Sequence, residues 1–400
     1  MIDIKTKDFI KKHLKDDVGK LALSKFPEDV DKQFVIRQIQ ARQVLSKKLP
    51  SWAESDELIF PKRLSLEQCS SELTAEYKSS LVKGKTLIDL TGGMGVDTAF
   101  LSDNFEKTFY VEMQEELCEI AKHNFKVLNK NIEVVNDKAE HFLTICDEVD
   151  CIYLDPARRD EYGRKMVSLH DCSPDVVELH GLLIKKAKTI LIKVSPMLDI
   201  EMIRKELEDI AEIHVVAVRN ECKEILIKTQ NLRNSELQKL SILATDLREN
   251  WNFAFSEDEE QSAQWTLADA VGKYLYEPGV ACMKAGCFKL LSQRYGLDKL
   301  HRNSHLYTSD ELVSDFPGRI FEVVNVVPFD KKTKKEITSV LVRQQSRLKA
   351  SVATRNFPLS VDELRKNLGL QEGSEFYIFG TTMKGDKKVL VLGTRIGNRE

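Results

Sequence analysis

Several things are scarce or missing in this sequence, and each absence removes a class. In 400 residues no apolar stretch approaches the ~20 residues needed to cross a bilayer, so no membrane-spanning helix is expected. The first residues interleave Lys5, Lys7, Lys11 and Lys12 with acids and carry no apolar run of the secretory kind, so a soluble cytoplasmic chain is expected. The eight cysteines (Cys69, Cys118, Cys146, Cys151, Cys172, Cys222, Cys282 and Cys287) form no C-x-x-C pair. Their nearest spacings fit neither a zinc knuckle nor a redox motif, and they read as small buried residues and free thiols. His301 and His305 stand four apart, as zinc ligands on a helix can. However, Asn303-Ser304 between them is loop-like, and no metal is expected. No segment repeats at a fixed period, which excludes a solenoid. A formal net charge of −3 argues against a generally basic surface.

With 42% hydrophobic and 31% charged residues, the chain can bury real cores, and its length suggests two or three domains. Up to residue 80 it reads as helical. Phe9-Ile10, Leu14, Val18 and Leu21 follow helical spacing, as do Phe34-Val35, Ile39 and Val44-Leu45, with Pro50 expected to stop the run. A further helix is expected from Ser65 through Leu66, Cys69, Leu73 and Tyr77. From Leu87 short apolar strands alternate with helices, which implies a parallel sheet covered on both faces. Two runs, Ile213 to Val218 and Glu224 to Lys228, lie too close for a crossover helix and should be antiparallel. Ser241 to Leu247 and Trp251 to Phe255 suggest a hairpin, followed by an acidic turn at Glu257-Asp258-Glu259-Glu260 and a helix through Leu267 and Tyr274. Beyond Pro278 a smaller α+β unit is expected, with a strand over Phe321 to Val327 and a basic helix from Lys332 to Lys349. A capped helix at Ser360-Val361-Asp362-Glu363 and a hairpin turning at Lys384-Gly385-Asp386 complete it.

The chemistry-bearing residues cluster at strand ends. Asp89-Leu90-Thr91-Gly92-Gly93-Met94-Gly95 is a strand end, a glycine-rich turn and a helix start, the arrangement by which open α/β sheets bind cofactors. Thr98 stands where the nicotinamide fingerprint needs its third glycine. The loop instead resembles the D-x-G-x-G-x-G signature of class I methyltransferases, with Thr91 in place of the first glycine. Taken alone, it also fits an unrelated tight turn. Glu112 ends the next strand, where an acid can accept bonds from ribose hydroxyls. Asp137 follows the third strand, in reach of an adenine amino group, although an acid there equally serves as a turn residue. These acids suit S-adenosylmethionine, whose sulfonium and ammonium are cationic, and Asp89 can pair with the ammonium directly or through water.

Asp155-Pro156-Ala157-Arg158-Arg159, after the fourth strand, resembles the D-P-P-[YF] motif in which an acid accepts hydrogen bonds from a target amine. No aromatic residue follows to stack on a base. Arg158 and Arg159 could stack or bind phosphate instead, or form a solvated pair with Asp160 or Glu161. Ser195-Pro196, closing the next strand, is a candidate far wall of the pocket or a plain turn. No cysteine is placed for carbon-directed chemistry, so nitrogen is the expected target.

Longer blocks narrow the resemblance. Glu67-Gln68-Cys69-Ser70-Ser71-Glu72, the loop through Val96-Asp97, Lys284-Ala285-Gly286-Cys287-Phe288-Lys289, Asn303 to Ser309, and Phe316-Pro317-Gly318-Arg319 together resemble a Bacteroidetes-type family of methyltransferases with a C-terminal THUMP-like domain. The resemblance covers roughly residues 60 to 400. It implies an α/β fold: a Rossmann-like, seven-stranded methyltransferase sheet with a helical N-terminal region and a smaller α+β THUMP-like domain. The expected division is 1–80 helical, 81–277 methyltransferase, 278–320 ferredoxin-like and 321–400 THUMP-like.

In that frame the cofactor is S-adenosylmethionine, held by Asp89, Thr91, Gly92, Gly93, Gly95, Asp97, Glu112 and Asp137. Asp155, Pro156, Arg158 and Arg159 are the candidate catalytic residues. THUMP domains bind RNA in transfer-RNA modifying enzymes. Between Lys331 and Lys366 ten Lys or Arg face three acids, so Lys331, Lys332, Lys334 and Lys335, with Ser195, are candidate substrate contacts. The basic run equally suits a solvated face. The expected activity is methylation of a base nitrogen in transfer or ribosomal RNA. Two rivals stand beside it: a methyltransferase for a small molecule or protein, and a non-catalytic RNA-binding protein with a vestigial cofactor fold.

Overall fold

Aspartates punctuate the N-terminal region. The side chains of Asp3, Asp17 and Asp31 accept backbone N–H groups and cap three helices, α1 (Ile4–His13), α2 (Val18–Leu23) and α3 (Lys32–Leu45), as short polar side chains do at helix starts. The stripe from Phe9 to Leu21 is therefore cut in two at Asp17. Pro50, expected as a stop, is the first residue of α4 (Pro50–Glu54), where its missing N–H costs nothing. The single helix expected after Ser65 is also two, α5 (Arg63–Gln68) and α6 (Glu72–Ser80). A capping box between Ser71 and Thr74 starts the second.

The structure is a computed structural model that describes residues 2–158, 168–230, 239–344 and 348–397. It falls into two units, Met1–Ile213 with Glu224–Lys239, and His214–Lys223 with Leu240–Glu400. In the first unit the strands are β1 (Gly84–Asp89), β2 (Phe105–Glu112), β3 (Ile132–Asn136), β4 (Val149–Leu154), β5 (Ala187–Val194) and, each in part, β6 (Ile210–Val218) and β7 (Glu221–Gln230). Their order is β3-β2-β1-β4-β5-β7-β6. The pairs from β3 to β5 are parallel, and β7 runs antiparallel to β5. These are seven neighbouring strands of a nine-stranded sheet, arranged as the expected Rossmann-like methyltransferase sheet.

Between the strands lie α7 (Val96–Leu101), α8 (Glu115–Val127), α9 (Ala139–Ile145), α10 (Val176–Lys186) and α11 (Ile200–Glu206). Leu45, Leu49, Trp52 and Phe60 from the N-terminal region share a core with Met94, Val96, Tyr110 and Phe125. Each large side chain buried there contributes roughly 1.5–3 kcal/mol. The helical region is thereby packed beside the glycine loop.

The second unit contains the end of β6, whose turn residues Arg219 and Asn220 have φ of 54° and 57°. Both of their N–H groups donate to Asp246. The expected hairpin is present as β8 (Ser241–Asp246) and β9 (Trp251–Ser256). The acidic run is a short helix, α12 (Glu257–Ser262), started by a capping box of Ser256 and Glu259. The helix expected through Leu267 and Tyr274 is absent. Leu267 bridges to Lys299, and Tyr274–Pro278 is a central strand whose apolar run is buried on both faces. A seven-stranded sheet follows, including Gly318–Pro328, Ser351–Arg355, Phe376–Thr382 and Lys388–Ile396.

The basic helix spans Thr333–Gln344, shorter than expected. Residues 345–347 lie outside the described residues, and Lys349 bridges to Gln371. Among the described residues no helix is long and apolar enough to cross a membrane.

Candidate active site

The glycine loop is shaped by close contacts. Gly92 sits so near the Tyr110 ring that a Cβ would lie 2.2 Å from it. Gly93 and Gly95 have φ of 53° and 79°, in the left-handed region that favours glycine. Tyr110 donates its O–H to Gly93 O at 2.6 Å and meets Phe125 edge-on at 5.5 Å. Glu112 accepts from Gly93 N at 3.0 Å and from Gln114 N at 2.9 Å. The acid ending β2 therefore also anchors the loop ending β1.

Thr91 explains its own departure from glycine. Its Oγ1 accepts the Asp155 N–H at 2.6 Å and donates to Asp89 Oδ1 at 3.5 Å, so one hydroxyl joins the ends of β1 and β4. Asp89 is 1% exposed. It also accepts from Thr91 N at 2.9 Å and from Thr98 Oγ1 at 2.5 Å. Burial pushes its carboxyl up to about 7; the bonds from Thr98 and Thr91 oppose that rise, and the charges of Asp97 and Asp155 add to it. Thr98, which displaces the nicotinamide signature, is thus a direct partner of the strand-end acid.

Asp89 and the loop from Thr91 to Gly95 line a cleft of about 390 Å³ together with Asp97, Glu112, Asp137 and Asp155. All eight positions expected to hold the cofactor are on its wall. Asp137 accepts from Lys138 N at 2.8 Å and pairs with His141 at 2.7 Å. The His141 bond holds its carboxyl below the usual range.

On the acceptor side, Asp155 and Ala157 line the cleft, and Pro156 between them is half-buried. Arg158 pairs through its backbone with Cys172; its side chain and all of Arg159 lie outside the described residues. Ser195 is not on the cleft wall. It closes β5 in a turn, its Oγ accepting from Met197 N at 3.3 Å. Lys331, Lys332, Lys334 and Lys335 are exposed in the second unit, at the start of the helix Thr333–Gln344.

Behind Asp155 lies a charged cluster that the strand-end reading did not find. Lys193, near the end of β5, donates from Nζ to Asp155 Oδ2. Lys78 of α6 is fully buried; its Nζ donates to Glu224 at 2.8 and 3.0 Å and to Ser70 Oγ at 3.0 Å, and lies 3.3 Å from Asp97 Oδ1. Asp97 Oδ2 accepts from Tyr153 O–H at 2.7 Å and from Ser70 at 2.8 Å. Burial disfavours the Asp97 carboxylate, but Lys78, Lys193 and the two hydroxyls outweigh it, and its pKa is lowered. Burial likewise works against the Lys193 ammonium, yet Asp155, Asp97 and Glu224 hold its pKa above the ordinary lysine value. Burial raises the Glu224 carboxyl, with Lys78 and Lys193 opposing.

One sequence signal for this cluster was available, because Lys193 interrupts the apolar run Thr189 to Val194. Met113 was also missed. It follows Glu112, is 68% exposed and lines the cleft, giving an apolar wall among the acids.

Comparison with known proteins places this geometry. A crystal structure described as a candidate methyltransferase from Porphyromonas gingivalis is 35% identical, covering 99% of this chain and 100% of that one, with a TM-score of 0.87. A Streptococcus thermophilus rRNA methylase (14% identity, TM-score 0.30) covers 40% of this chain and 94% of that one. A candidate methyltransferase from Streptococcus mutans in complex with SAH (17%, 0.30) covers 40% and 96%. At that overlap neither bears on activity or substrate. No curated protein matches the chain. A ferredoxin-like domain family matches residues 274–317, and a family described as THUMP domain-like matches residues 318–395. On its near full-length match to the Porphyromonas gingivalis protein, the chain belongs to that protein's family, the methyltransferases with a C-terminal THUMP-like domain.

Proposed function

We propose that the chain is an S-adenosylmethionine-dependent methyltransferase acting on a base nitrogen of transfer or ribosomal RNA. The observation that carries this reading is the single cleft onto which Asp89, Glu112, Asp137 and Asp155 open from four successive strand ends. The residues fit the cofactor. Gly92 lets the loop lie against the Tyr110 ring, acids suit the cationic groups, and Met113 with Ala139 supplies apolar wall for a purine. When bound, the sulfonium supplies an activated methyl group, so the protein's task is to position the acceptor.

Asp89 would bind the ammonium, Glu112 the ribose and Asp137 the adenine amino group. The Gly92 to Gly95 backbone lets the ligand approach, and Asp97 supports the wall through Ser70 and Tyr153. Asp155 and Pro156, flanked by Arg158 and Arg159, would receive the acceptor. Lys331, Lys332, Lys334 and Lys335 would contact RNA phosphates, and Ser195 is assigned to the acceptor side. The division into 1–80, 81–277, 278–320 and 321–400 is proposed as the functional one, with the last segment presenting RNA.

The test is labelled methyl transfer to total RNA from cells lacking the protein, run beside small-molecule and protein fractions, with Asp155→Ala as control. Label in RNA that the control loses supports the reading. Label confined to another fraction sinks it.

A further inference from the structure

We propose that the N-terminal helical region completes the cofactor site. The side-chain amide of Gln68, with the Ser65 hydroxyl one helical turn before it, donates to the carboxylate of S-adenosylmethionine. This rests on the reading that the cleft holds S-adenosylmethionine, and it assigns the charged group for which the acids named above offer no partner.

The charged side chains on the cleft wall are Asp89, Asp97, Glu112, Asp137, Glu140 and Asp155, against Lys138. Such a wall attracts the sulfonium and the ammonium and repels a carboxylate. A carboxylate taken out of water there needs hydrogen-bond donors in return.

The glycine loop has few to give. The Thr91 N–H is spent on Asp89 and the Gly93 N–H on Glu112. The Gly92 and Gly95 N–H groups go to Val111 O and Gly92 O. The hydroxyls of Thr91, Ser70 and Tyr153 donate to Asp89 and Asp97.

The other side-chain donors on the wall are Ser65, Gln68, Gln114, Lys138 and Ser173. Gln114 and Lys138 follow Glu112 and Asp137 closely, at the ribose and adenine ends. Ser173 is paired with Ala157 on the acceptor side. Ser65 and Gln68 stand at the remaining end, next to Ser70, which is bonded to Asp97 at 2.8 Å.

Both residues belong to α5, where positions three apart share a face. Neither side chain has a hydrogen-bond partner among the described residues. The helix is held from behind. Lys48 Nζ donates to Leu66 O at 3.1 Å and to Glu67 O at 2.8 Å, satisfying carbonyls of the last turn. Lys48 is not on the cleft wall, so it positions α5 and leaves the contact to Gln68 and Ser65. A neutral amide suits this place. A lysine or arginine there would pair with the neighbouring acids and compete with the cofactor's own ammonium.

The test is calorimetry on the full chain with S-adenosylmethionine and its decarboxylated analogue, which keeps the sulfonium and the ammonium and lacks only the carboxylate. Gln68→Ala should weaken S-adenosylmethionine by about 10- to 100-fold, the range for a lost hydrogen bond to a charged group, and leave the analogue within about threefold. Gln68→Glu keeps the size but puts an acid where the donor stood. It should weaken S-adenosylmethionine further and leave the analogue unchanged or tighter. Ser65→Ala should act in the same direction as Gln68→Ala, by a smaller factor. Melting temperatures should match the parent's.

Equal weakening of both ligands, or a shift for S-adenosylmethionine under about threefold in Gln68→Glu, overturns this proposal and leaves the cofactor reading standing. Failure of the parent chain to bind S-adenosylmethionine at millimolar concentration overturns both. If Gln68→Glu does not fold, Gln68→Ala and Ser65→Ala decide by the same comparison of ligands.

Discussion

Lowering the pH from 7.0 to 5.5 should weaken S-adenosylmethionine binding by about 15-fold, because Asp89 gains a proton it holds until about pH 7. The ionised fraction is roughly 50% at pH 7.0 and roughly 3% at pH 5.5, a ratio worth about 1.6 kcal/mol if only the carboxylate receives the ammonium. The stability sign runs the other way. A carboxyl raised from 3.8 to about 7 leaves the folded state holding more protons than the unfolded state in that window. Stability from this group therefore falls as pH rises through the window, by roughly 4 kcal/mol, and then levels off. Bound ammonium offsets that cost, so binding and proton release are linked.

Calorimetry at pH 6 in two buffers of different ionisation enthalpy should find about 0.9 proton released per cofactor bound. Asp89→Asn should abolish both the release and the pH slope. Thr98→Val removes a donor to Asp89 Oδ2 and should move the slope to higher pH. Because His141 is bonded to Asp137, His141→Gln is the control and should keep the slope. A Kd constant within threefold from pH 5.5 to 7.0, or an unchanged slope in Asp89→Asn, would rule out Asp89 as the group that receives the ammonium.

Three further perturbations have definite outcomes. Gly92→Ala places a Cβ 2.2 Å from the Tyr110 ring, itself tied to Gly93 O and packed on Phe125. Cofactor affinity should fall by on the order of 100-fold with circular dichroism unchanged, and binding within tenfold of the parent would contradict the dependence of the loop's shape on the Gly92–Tyr110 contact. Lys78→Met removes the ammonium bonded to both Glu224 oxygens and close to Asp97. Leaving buried carboxylates uncompensated should cost about 3–5 kcal/mol in the transition of the first unit by urea titration, and a cost below about 1 kcal/mol would show the cluster is not coupled to folding. Replacing Lys331, Lys332, Lys334 and Lys335 with alanine should reduce the dependence of log K for RNA on log salt by about 3, four phosphate contacts at roughly 0.7–0.9 each. An unchanged slope would mark that helix start as a solvated face.

The strands were legible because the residues that build them are. Continuous apolar runs such as Cys151 to Leu154 and Ile190 to Ile192 have one use in an α/β chain, and their polar endings, Asp89, Glu112 and Asp155, mark the carboxyl edge where a cleft forms. Helix breaks were less legible, since periodicity does not distinguish one helix from two. What separates α5 from α6 is the Ser71–Thr74 capping box, a local competition that a stripe from Leu66 to Tyr77 conceals. Tyr274 was misplaced because an apolar pattern of five residues fits a buried strand as well as a helix turn. The charged cluster was hidden for a different reason. Lys78, Lys193 and Glu224 lie far apart in sequence, and only the fold brings β7 beside β5 and Lys78 of α6 onto Glu224.

Thr91 shows what such joining does for the site. A glycine there would satisfy the turn but leave the Asp155 N–H without the acceptor it has at 2.6 Å, at a cost of order 1 kcal/mol. More importantly, it would detach the acceptor strand end from the cofactor strand end. With threonine in place, a continuous set of bonds runs from Thr98 through Asp89 and Thr91 to Asp155 and Lys193. The departure from the glycine signature therefore marks a site whose two halves are positioned by one hydroxyl. Thr91→Gly should accordingly lower kcat more than it weakens cofactor binding. A loss confined to cofactor Kd would mean that the hydroxyl serves the loop alone.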